Sequence, residues 1–392
     1  MTVILSAAVI FVVFALGDMI STKTKAVVSM LLIASVVFLL GFWTGIFPET
    51  LFNDSTLLSV AGLLVTMLLV HLGTMIALKD FVSQWRTVII AAVACVGISV
   101  AVYFVGQLIV DRGFALVGAP ILSGGVVATL LMQEMANNAG RAELAVFATL
   151  VMCAQGFVGY PVASLCLKSE AKRLKAKLDA GEMSLADMEA QKVAAASKKK
   201  LIPAIPAKYN GSNVILAKVA LVGLLATFVS GLFNDAVNKL VWCLIFGVVC
   251  KELGFLEEDS LGKAGATGMV MPVITLSIFT NLASATPQMV SSMIVPLLVV
   301  VVIGSVAFTV ISILVGKLFH YSWQMSVAIG SSCLFGFPGT LIVSNEVSEA
   351  TGTTPEEKAF INSQIMPKML VAGMVTVSIT SVLVAGVMCK WL

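Results

Sequence analysis

The chain has 392 residues, of which 59% are hydrophobic and only 11% are charged, and its mean hydropathy is +1.04. A soluble core of this length cannot hide so much apolar surface from water, so the composition excludes a soluble globular protein and predicts an all-α polytopic membrane protein. The net charge is only +3 and the basic residues lie in connecting segments, which excludes nucleic acid as a partner and leaves the lipid bilayer as the solvent.

Apolar runs of about 20 residues, the length that crosses a hydrocarbon core of about 30 Å, follow one another along the chain. The first run lacks a basic start and a small-residue cleavage site, so we expect a retained helix and not a signal peptide. A basic linker at 168–213 separates a first half, 1–167, from a second half, 214–392, with six runs in each. The runs lie at about 2–20, 25–47, 55–78, 87–110, 113–136, 141–167, 214–233, 235–255, 262–285, 291–318, 323–349 and 357–391.

The two halves resemble each other in detail, which indicates an internal duplication. The segment that begins Ser123-Gly124-Gly125 aligns with the segment Leu334-Phe335-Gly336 at an offset of 211 residues. In the third run of each half, His71 to Thr74 aligns with a segment that begins at Thr280, at an offset of about 209.

The distribution of lysine and arginine decides how the fifth run of each half is arranged, because short cytoplasmic loops are enriched in positive charge. If all twelve runs cross the membrane, a cytoplasmic linker at 168–213 places Lys23, Lys25, Lys79 and Arg86 outside. If the fifth runs are re-entrant hairpins, at 113–138 and 323–350, the basic loops all fall inside. We therefore predict five membrane crossings and one re-entrant hairpin in each half.

An odd number of crossings inserts the second half with the opposite orientation, which is an inverted repeat and is typical of secondary transporters. Both termini are then extracytoplasmic, and the default location is a bacterial inner membrane. A backbone turn at membrane depth is tolerated only against protein or a polar cavity, so the hairpin tips are the predicted substrate site. Glycine permits such turns, and half-helix N-termini attract anions, although membrane glycines also serve close packing. The tip candidates are Ser123, Gly124, Gly125, Thr129, Gly336, Phe337, Pro338, Gly339 and Thr340.

These tip motifs, together with the segment Gln155-Gly-Phe-Val-Gly-Tyr-Pro-Val-Ala163, resemble the bacterial sodium/glutamate symporter family. The resemblance extends to segment order and to the long central loop. It implies an elevator-type, sodium-coupled symporter of the glutamate symporter and 2-hydroxycarboxylate transporter type, which is usually a homodimer. Sodium would be the coupling ion, and a small organic anion such as glutamate or another carboxylate would be the substrate.

Polar groups within the membrane are expensive and are therefore candidates for function. Lys368 could hold a substrate carboxylate, or it could extend toward the cytoplasmic surface. His71 could relay a proton or bond a substrate, or it could be a satisfied packing residue. Oxygen-bearing side chains suit sodium, which prefers hard ligands, although they also occur at packing interfaces. The ion-binding candidates are Thr74, Thr280, Asn281, Glu134, Asn345 and Glu346.

Three other functions fit parts of the pattern. A proton-coupled transporter or an antiporter on the same scaffold requires Glu134, Glu346 or His71 to titrate. A membrane subunit of a sodium-pumping decarboxylase also contains inverted hairpins, but the chain has no conspicuous intramembrane aspartate. A membrane enzyme is disfavoured because the sequence has no nucleophile–base pair, metal motif or nucleotide loop, so we expect no enzymatic activity.

Overall fold

The computed structural model describes residues 1–24, 30–76, 78–179, 201–203, 205–206, 208–232 and 239–391. These residues form helices, turns and loops, with no strand among them. The first half contains α1 Val3–Lys23, α2 Met30–Trp43, α3 Leu51–Asp54, α4 Leu58–Met75, α5 Leu78–Ser83, α6 Trp85–Gly106, α7 Arg112–Leu122, α8 Gly125–Asn138, α9 Ala142–Ala154 and α10 Gly156–Asp179. The second half contains α11 Ser212–Leu232, α12 Lys239–Leu253, α13 Ser260–Lys263, α14 Thr267–Phe279, α15 Pro287–Leu318, α16 Trp323–Ser331, α17 Gly336–Thr351, α18 Pro355–Met374 and α19 Ser381–Met388.

Eight helical stretches in the described part of the chain are long and apolar enough to cross a membrane. They indicate a membrane-embedded protein, in agreement with the composition. The eight are Val3–Ser21, Leu58–Met75, Trp85–Gly106, Ala142–Leu178, Ser212–Leu232, Thr267–Ser284, Pro287–Leu318 and Pro355–Trp391.

Two features differ from the sequence prediction. The second helix of each half, α2 with 14 residues and α12 with 15, is shorter than a full crossing, and residues 25–29 and 233–238 beside them lie outside the described residues. Helix α10 continues to Asp179, twelve residues into the predicted linker. It does so because Leu167, Ala171 and Leu174 remain buried in one cluster with residues of the second hairpin.

The order of helices repeats along the chain. Helices that start at 3, 30, 51, 58 and 78 in the first half have counterparts that start at 212, 239, 260, 267 and 287, a constant offset of 209 residues. The offset is 211 for both hairpin helices, from 112 and 125 to 323 and 336. Residues with positive φ recur at the same offsets, in the pairs Gly45 and Gly254, Thr56 and Gly265, and Gly125 and Gly336. The order of helices and the left-handed turns therefore recur in both halves.

Contacts between helix ends fall into two separate groups, one at each end of the bundle. The first group joins the N-terminus to Asp54 (2.7 Å), Trp43 to the carbonyl of Ala285 (2.7 Å), Asn137 to Asn281 (3.2 Å) and Arg141 to Asp111 (3.6 Å). The second group joins Lys175 to Glu357 (2.8 Å), Ser322 to Glu170 (2.7 Å), Lys251 to the carbonyl of Ile76 (3.1 Å) and Trp85 to Phe319 (5.3 Å between rings).

The predicted hairpins are pairs of helices that turn back on themselves. Helices α7 and α8 run from 112 to 138, and α16 and α17 run from 323 to 351. With 11 and 9 residues, α7 and α16 are about 16 and 14 Å long, roughly half of a hydrocarbon core. The ion pair between Arg141 and Asp111 ties both ends of the first hairpin to the same end of the bundle.

The two halves interlock across the molecule. Helix α4 packs against α11, α12 and α14, and α6 packs along the length of α15. In the other direction, Phe14 and Phe38 of the first half pack on Phe279, with ring centroids 5.9 and 5.5 Å apart. This exchange of partners brings the two hairpins together in the interior.

Candidate functional site

The two hairpin tips have the same backbone conformation. Gly125 has φ of +68° and Gly336 has φ of +58°, in the left-handed region that side-chain-bearing residues avoid. Before each glycine, a backbone N–H closes the preceding turn: Gly124 donates to Ile121 (3.1 Å) and Phe335 donates to Ser332 (3.3 Å). Helix α8 begins at Gly125, and α17 begins at Gly336 with a kink at the next residue, so each tip presents a helix N-terminus inside the protein.

Both tips contact one irregular stretch of the last membrane helix. Between α18 and α19 the backbone forms a π-helix at Val375–Thr380. A Cβ at Gly124 would overlap the side chain of Ser381, and a Cβ at Gly336 would overlap that of Val377, so backbone and helix are in direct contact. Because π-helical turns are rare and occur frequently at functional sites, this stretch is part of the candidate site.

Helix α6 lies on the other side of the tips. The Cys95 thiol donates to the carbonyl of Ser123 (3.1 Å), and its sulfur lies 3.2 Å from that of Cys333 in the second tip. The Ser99 hydroxyl donates to the Ser123 hydroxyl (3.0 Å). We call the meeting point of 123–125, 332–336, α6 and the π-helix the tip junction.

A pair of equivalent threonines follows the tip glycines. Thr129 and Thr340 are 211 positions apart, and both are fully buried. The Thr129 hydroxyl donates to the carbonyl of Gly125 (2.9 Å). The Thr340 hydroxyl has no hydrogen-bond partner among the described residues. An unpaired buried hydroxyl costs about 1–3 kcal/mol, so Thr340 has unused capacity to bind a polar ligand.

The start of α17 is held by aromatic side chains. Phe337 has an extended conformation (φ −80°, ψ 141°), so the regular helix begins after it, at Pro338. The ring of Phe335 stacks on Tyr160 at 4.5 Å, and the Tyr160 hydroxyl lies against Gly339. Gly339 is therefore a packing position, whereas Gly336 is the position that turns the chain.

Lys368 lies away from the tip junction, near the beginning of the second hairpin. Its ammonium is 5.6 Å from the ring centroid of Tyr321. Close by, the buried Glu170 accepts hydrogen bonds from Arg173 (2.6 and 2.9 Å) and from Ser322, the N-cap of α16 (2.7 Å). This cluster positions the hairpin base, and Lys368 does not reach the tips.

The ion-binding candidates do not come together at one place. Glu134 is exposed on α8, and Asn345 and Glu346 are exposed on α17. Asn345 accepts a hydrogen bond from Asn362 (2.8 Å). The remaining three, Thr74, Thr280 and Asn281, lie at opposite ends of the bundle.

Thr74 and His71 hold a short helix in place. The imidazole Nδ1 of His71 accepts from the N–H of Leu261 (3.2 Å), and the Thr74 hydroxyl accepts from the N–H of Ser260 (3.3 Å). The other imidazole nitrogen lies 3.8 Å from the carboxylate of Asp259. These bonds satisfy the first N–H groups of α13, so both side chains act as helix caps.

Thr280 and Asn281 line a polar cleft of about 230 Å³ at the other end of the bundle. The residue of the first half that is equivalent to Thr280 is His71, which together with Thr74 caps α13 instead. The cleft opens between the loop before α3 and the 3-10 helix Thr280–Ser284, and Asn137 of the first hairpin donates to Asn281 (3.2 Å). Its other lining residues are Glu49, Phe52, Asn53, Leu58, Ala283 and Ser284.

The sequence predicted the tips as the substrate site but did not predict their neighbours. In the structure α6 and the π-helix surround the tips. Two features of the sequence pointed to these neighbours. Cys95 and Ser99 lie one helical turn apart on the same face of an apolar run, and the stretch around Thr376 is rich in hydroxyl side chains. Gln155, at the break between α9 and α10, is also buried, with its amide oxygen unpaired within the described residues.

No protein-family model matches the chain, and no curated protein matches it. Its function is therefore inferred from the geometry of the hairpins and of the residues around them.

Proposed function

We propose that this protein is a secondary active transporter, and not an enzyme, which carries a small organic anion across the membrane by sodium symport. The observation that carries the proposal is the tip junction, where two half-helices from duplicated halves begin at left-handed glycines against a π-helix. Broken helices that meet inside a membrane protein are typical of transporter binding sites.

The chemistry of the junction favours an anion. Helices α8 and α17 both present N-terminal N–H groups there, and the positive ends of their dipoles attract negative charge. The unpaired Thr340 hydroxyl adds a neutral donor, and the surrounding Ser123, Cys95 and Ser99 carry no charge that would repel an anion. An amino acid or a carboxylate is the proposed substrate class.

The topology that we propose has five crossings and one re-entrant hairpin in each half, with the halves inverted. The hairpin helices are too short to cross, and the contacts of the helix ends keep both ends of each hairpin on one side. Lys175, Lys251 and Lys317 belong to one end of the bundle, which we assign to the cytoplasm. The termini are then extracytoplasmic in a bacterial inner membrane.

The proposed transport mechanism is an elevator movement in a homodimer. Ser123, Thr129 and Thr340 are fully buried, so a substrate reaches the junction only when a hairpin moves away from α6 and the π-helix. One bundle would carry the substrate past a scaffold formed by the remaining helices. The pair Cys95 and Cys333 lies across this boundary and would separate during the movement.

Purified protein in liposomes tests the proposal directly. We expect uptake of at least one radiolabelled amino acid or carboxylate that requires an inward sodium gradient. The same substrate should raise the melting temperature of detergent-solubilised protein, because a ligand that binds only the native state stabilises it. Absence of both effects across a broad panel of amino acids and carboxylates would overturn the proposal.

A further inference from the structure

A second polar site lies beneath the polar cleft, away from the tip junction. Gln133 of α8 and Thr149 of α9 are buried, with Gln133 only 3% exposed. The Gln133 amide nitrogen donates to the Thr149 hydroxyl (2.8 Å) and to the carbonyl of Ile278 in α14 (2.8 Å). The Thr149 hydroxyl also donates to that carbonyl (2.9 Å). Three helices from both halves thus meet at a compact triangle of polar atoms.

The backbone of α14 makes this triangle possible. The α-helix ends at Phe279 and continues as a 3-10 helix from Thr280 to Ser284. At this change of helix type, the carbonyl of Ile278 accepts hydrogen bonds from two side chains of other helices. Carbonyls at such irregular points of membrane helices are suitable ligands for sodium.

The position of the Gln133 amide nitrogen is the place where a cation would bind. It lies 2.8 Å from two oxygens, the Thr149 hydroxyl and the Ile278 carbonyl. Hard cations bind protein oxygens at about 2.3–2.6 Å in the case of calcium, so a shift of a few tenths of an ångström gives coordination. A change of rotamer that withdraws the Gln133 amide from this position makes room for the ion, and the withdrawn amide oxygen can then serve as a third neutral ligand.

The polar cleft lies close to this triangle. Asn281 lines the cleft and accepts a hydrogen bond from Asn137, and the two residues lie about one helical turn from Ile278 and Gln133, respectively. The carboxylate of Glu49 at the cleft is exposed and attracts cations. The cleft and its carboxylate therefore lie close to the buried oxygens, on the side from which a cation would enter.

We infer that Gln133, Thr149 and the carbonyl of Ile278 form a sodium site, reached through the cleft at Glu49 and Asn281. In the sodium-free protein the Gln133 amide group takes the place of the ion and satisfies the oxygens. This inference rests on the proposed sodium-coupled transport and names a site of coupling outside the hairpin tips.

Sodium titrations of thermal stability test the site, with potassium chloride added to keep ionic strength constant. We expect the melting temperature of the wild type to rise with sodium to a plateau. Thr149→Val, which keeps the shape but removes the hydroxyl, should raise the sodium midpoint at least tenfold, equal to about 1.4 kcal/mol. Gln133→Leu should have the same effect.

Two variants control for damage to the fold. Thr149→Ser keeps the hydroxyl, and its sodium midpoint should stay within about threefold of the wild type. That change is well short of the roughly tenfold rise, about 1.4 kcal/mol, that is expected for Thr149→Val. Thr309→Val removes a hydroxyl that donates only to Ser305 of its own helix (2.8 Å), and should leave the midpoint unchanged. Wild-type midpoints in both Thr149→Val and Gln133→Leu would overturn the site, as would absence of a sodium-specific plateau in the wild type.

The result separates this inference from the proposed transport function. Stabilisation by amino acids or carboxylates is measured in the same assay in potassium and depends on the tip junction. Anion stabilisation without a sodium effect would overturn the sodium site and leave the anion site standing. A sodium effect that Thr149→Val abolishes would support the site even when no tested anion binds.

Discussion

Gly125 and Gly336 lie 211 positions apart and have the same left-handed backbone conformation, and each begins the returning helix of a hairpin. Their surroundings differ in one respect. A side chain at Gly125 would have Val377 at 3.8 Å, an ordinary contact, whereas a side chain at Gly336 would overlap Val377. Equivalent substitutions in the two halves therefore separate backbone strain from steric overlap.

The first prediction concerns these glycines. Gly125→Ala should destabilise the protein by about 1–2 kcal/mol, the cost of a left-handed conformation for a residue with a side chain. Gly336→Ala should cost more, and Val377→Ala should restore part of the loss in a double mutant. Gly386→Ala, in a regular helix with open space around it, is the control and should be neutral or stabilising. Chemical unfolding in detergent measures all four, and equal effects at Gly125 and Gly386 would contradict the prediction.

The second prediction separates binding from stability at Thr340. Thr340→Val removes a buried, unpaired hydroxyl, so the melting temperature should stay the same or rise. Substrate affinity should fall about ten- to a hundredfold, because a hydrogen bond to a charged ligand contributes about 1.5–3 kcal/mol. Thr129→Val is the comparison, since its hydroxyl is already bonded to Gly125 and its loss should lower stability. Unchanged affinity in Thr340→Val would show that this hydroxyl does not contact substrate.

The third prediction concerns topology. In a cysteine-free background, single cysteines at the exposed positions Lys263 and Lys317 should react only from the cytoplasmic side. A single cysteine at Asn138, at the end of the first hairpin, should react only from outside. Reaction of the cysteine at 138 from the cytoplasm alone would rule out the re-entrant hairpin and with it the inverted repeat.

The fourth prediction concerns the ion pair between Lys218, near the start of α11, and Glu257, in the loop that follows α12. Lys218 in α11 is buried and donates to Glu257 (2.6 Å), which also accepts from Asn210 (2.8 Å). Desolvation raises the pKa of Glu257, but the hydrogen bonds from Lys218 and Asn210 outweigh it and hold the pKa below its usual value. The stabilisation is therefore complete above the ordinary glutamate pKa of about 4.3 and is lost as pH falls through the lower folded-state pKa.

Glu257→Gln should accordingly lower the melting temperature at pH 7 and leave Lys218 without its charged partner. The difference from the wild type should shrink at acidic pH, where the wild-type carboxyl is protonated as well. Glu258→Gln, one position along and exposed, should have little effect at either pH. A Glu257→Gln deficit that is independent of pH would contradict the assigned ion pair.

The fifth prediction concerns the coupling ion. Neutral oxygens and backbone carbonyls do not titrate, so uptake at fixed sodium should change little between about pH 6 and pH 8. The Nδ1 of His71 accepts the capping hydrogen bond and must be unprotonated to do so, so protonation of His71 would break the cap. Full uptake driven by a proton gradient in sodium-free buffer would favour the proton-coupled alternative.

Much of the fold could be predicted from the sequence, because it depends on the properties of residues that are close together along the chain. The lengths of the apolar runs predicted membrane helices, and the distribution of lysines indicated which runs turn back. Paired Gly-containing motifs 211 residues apart predicted two hairpins at 113–138 and 323–350, and the helix pairs occupy 112–138 and 323–351. These features depend on hydrophobicity, charge and glycine geometry, which act over a few residues.

The partners of the tips were decided only by tertiary structure. Cys95 meets Ser123 and Cys333 because α6 and α15 pack together and bring the two halves into contact, and no local pattern encodes that distance. His71 became a helix cap because the loop after α12 places Leu261 beside it. Gln133, Thr149 and Ile278 converge from three helices for the same reason: a polar group in an apolar interior must find its partner wherever packing puts one.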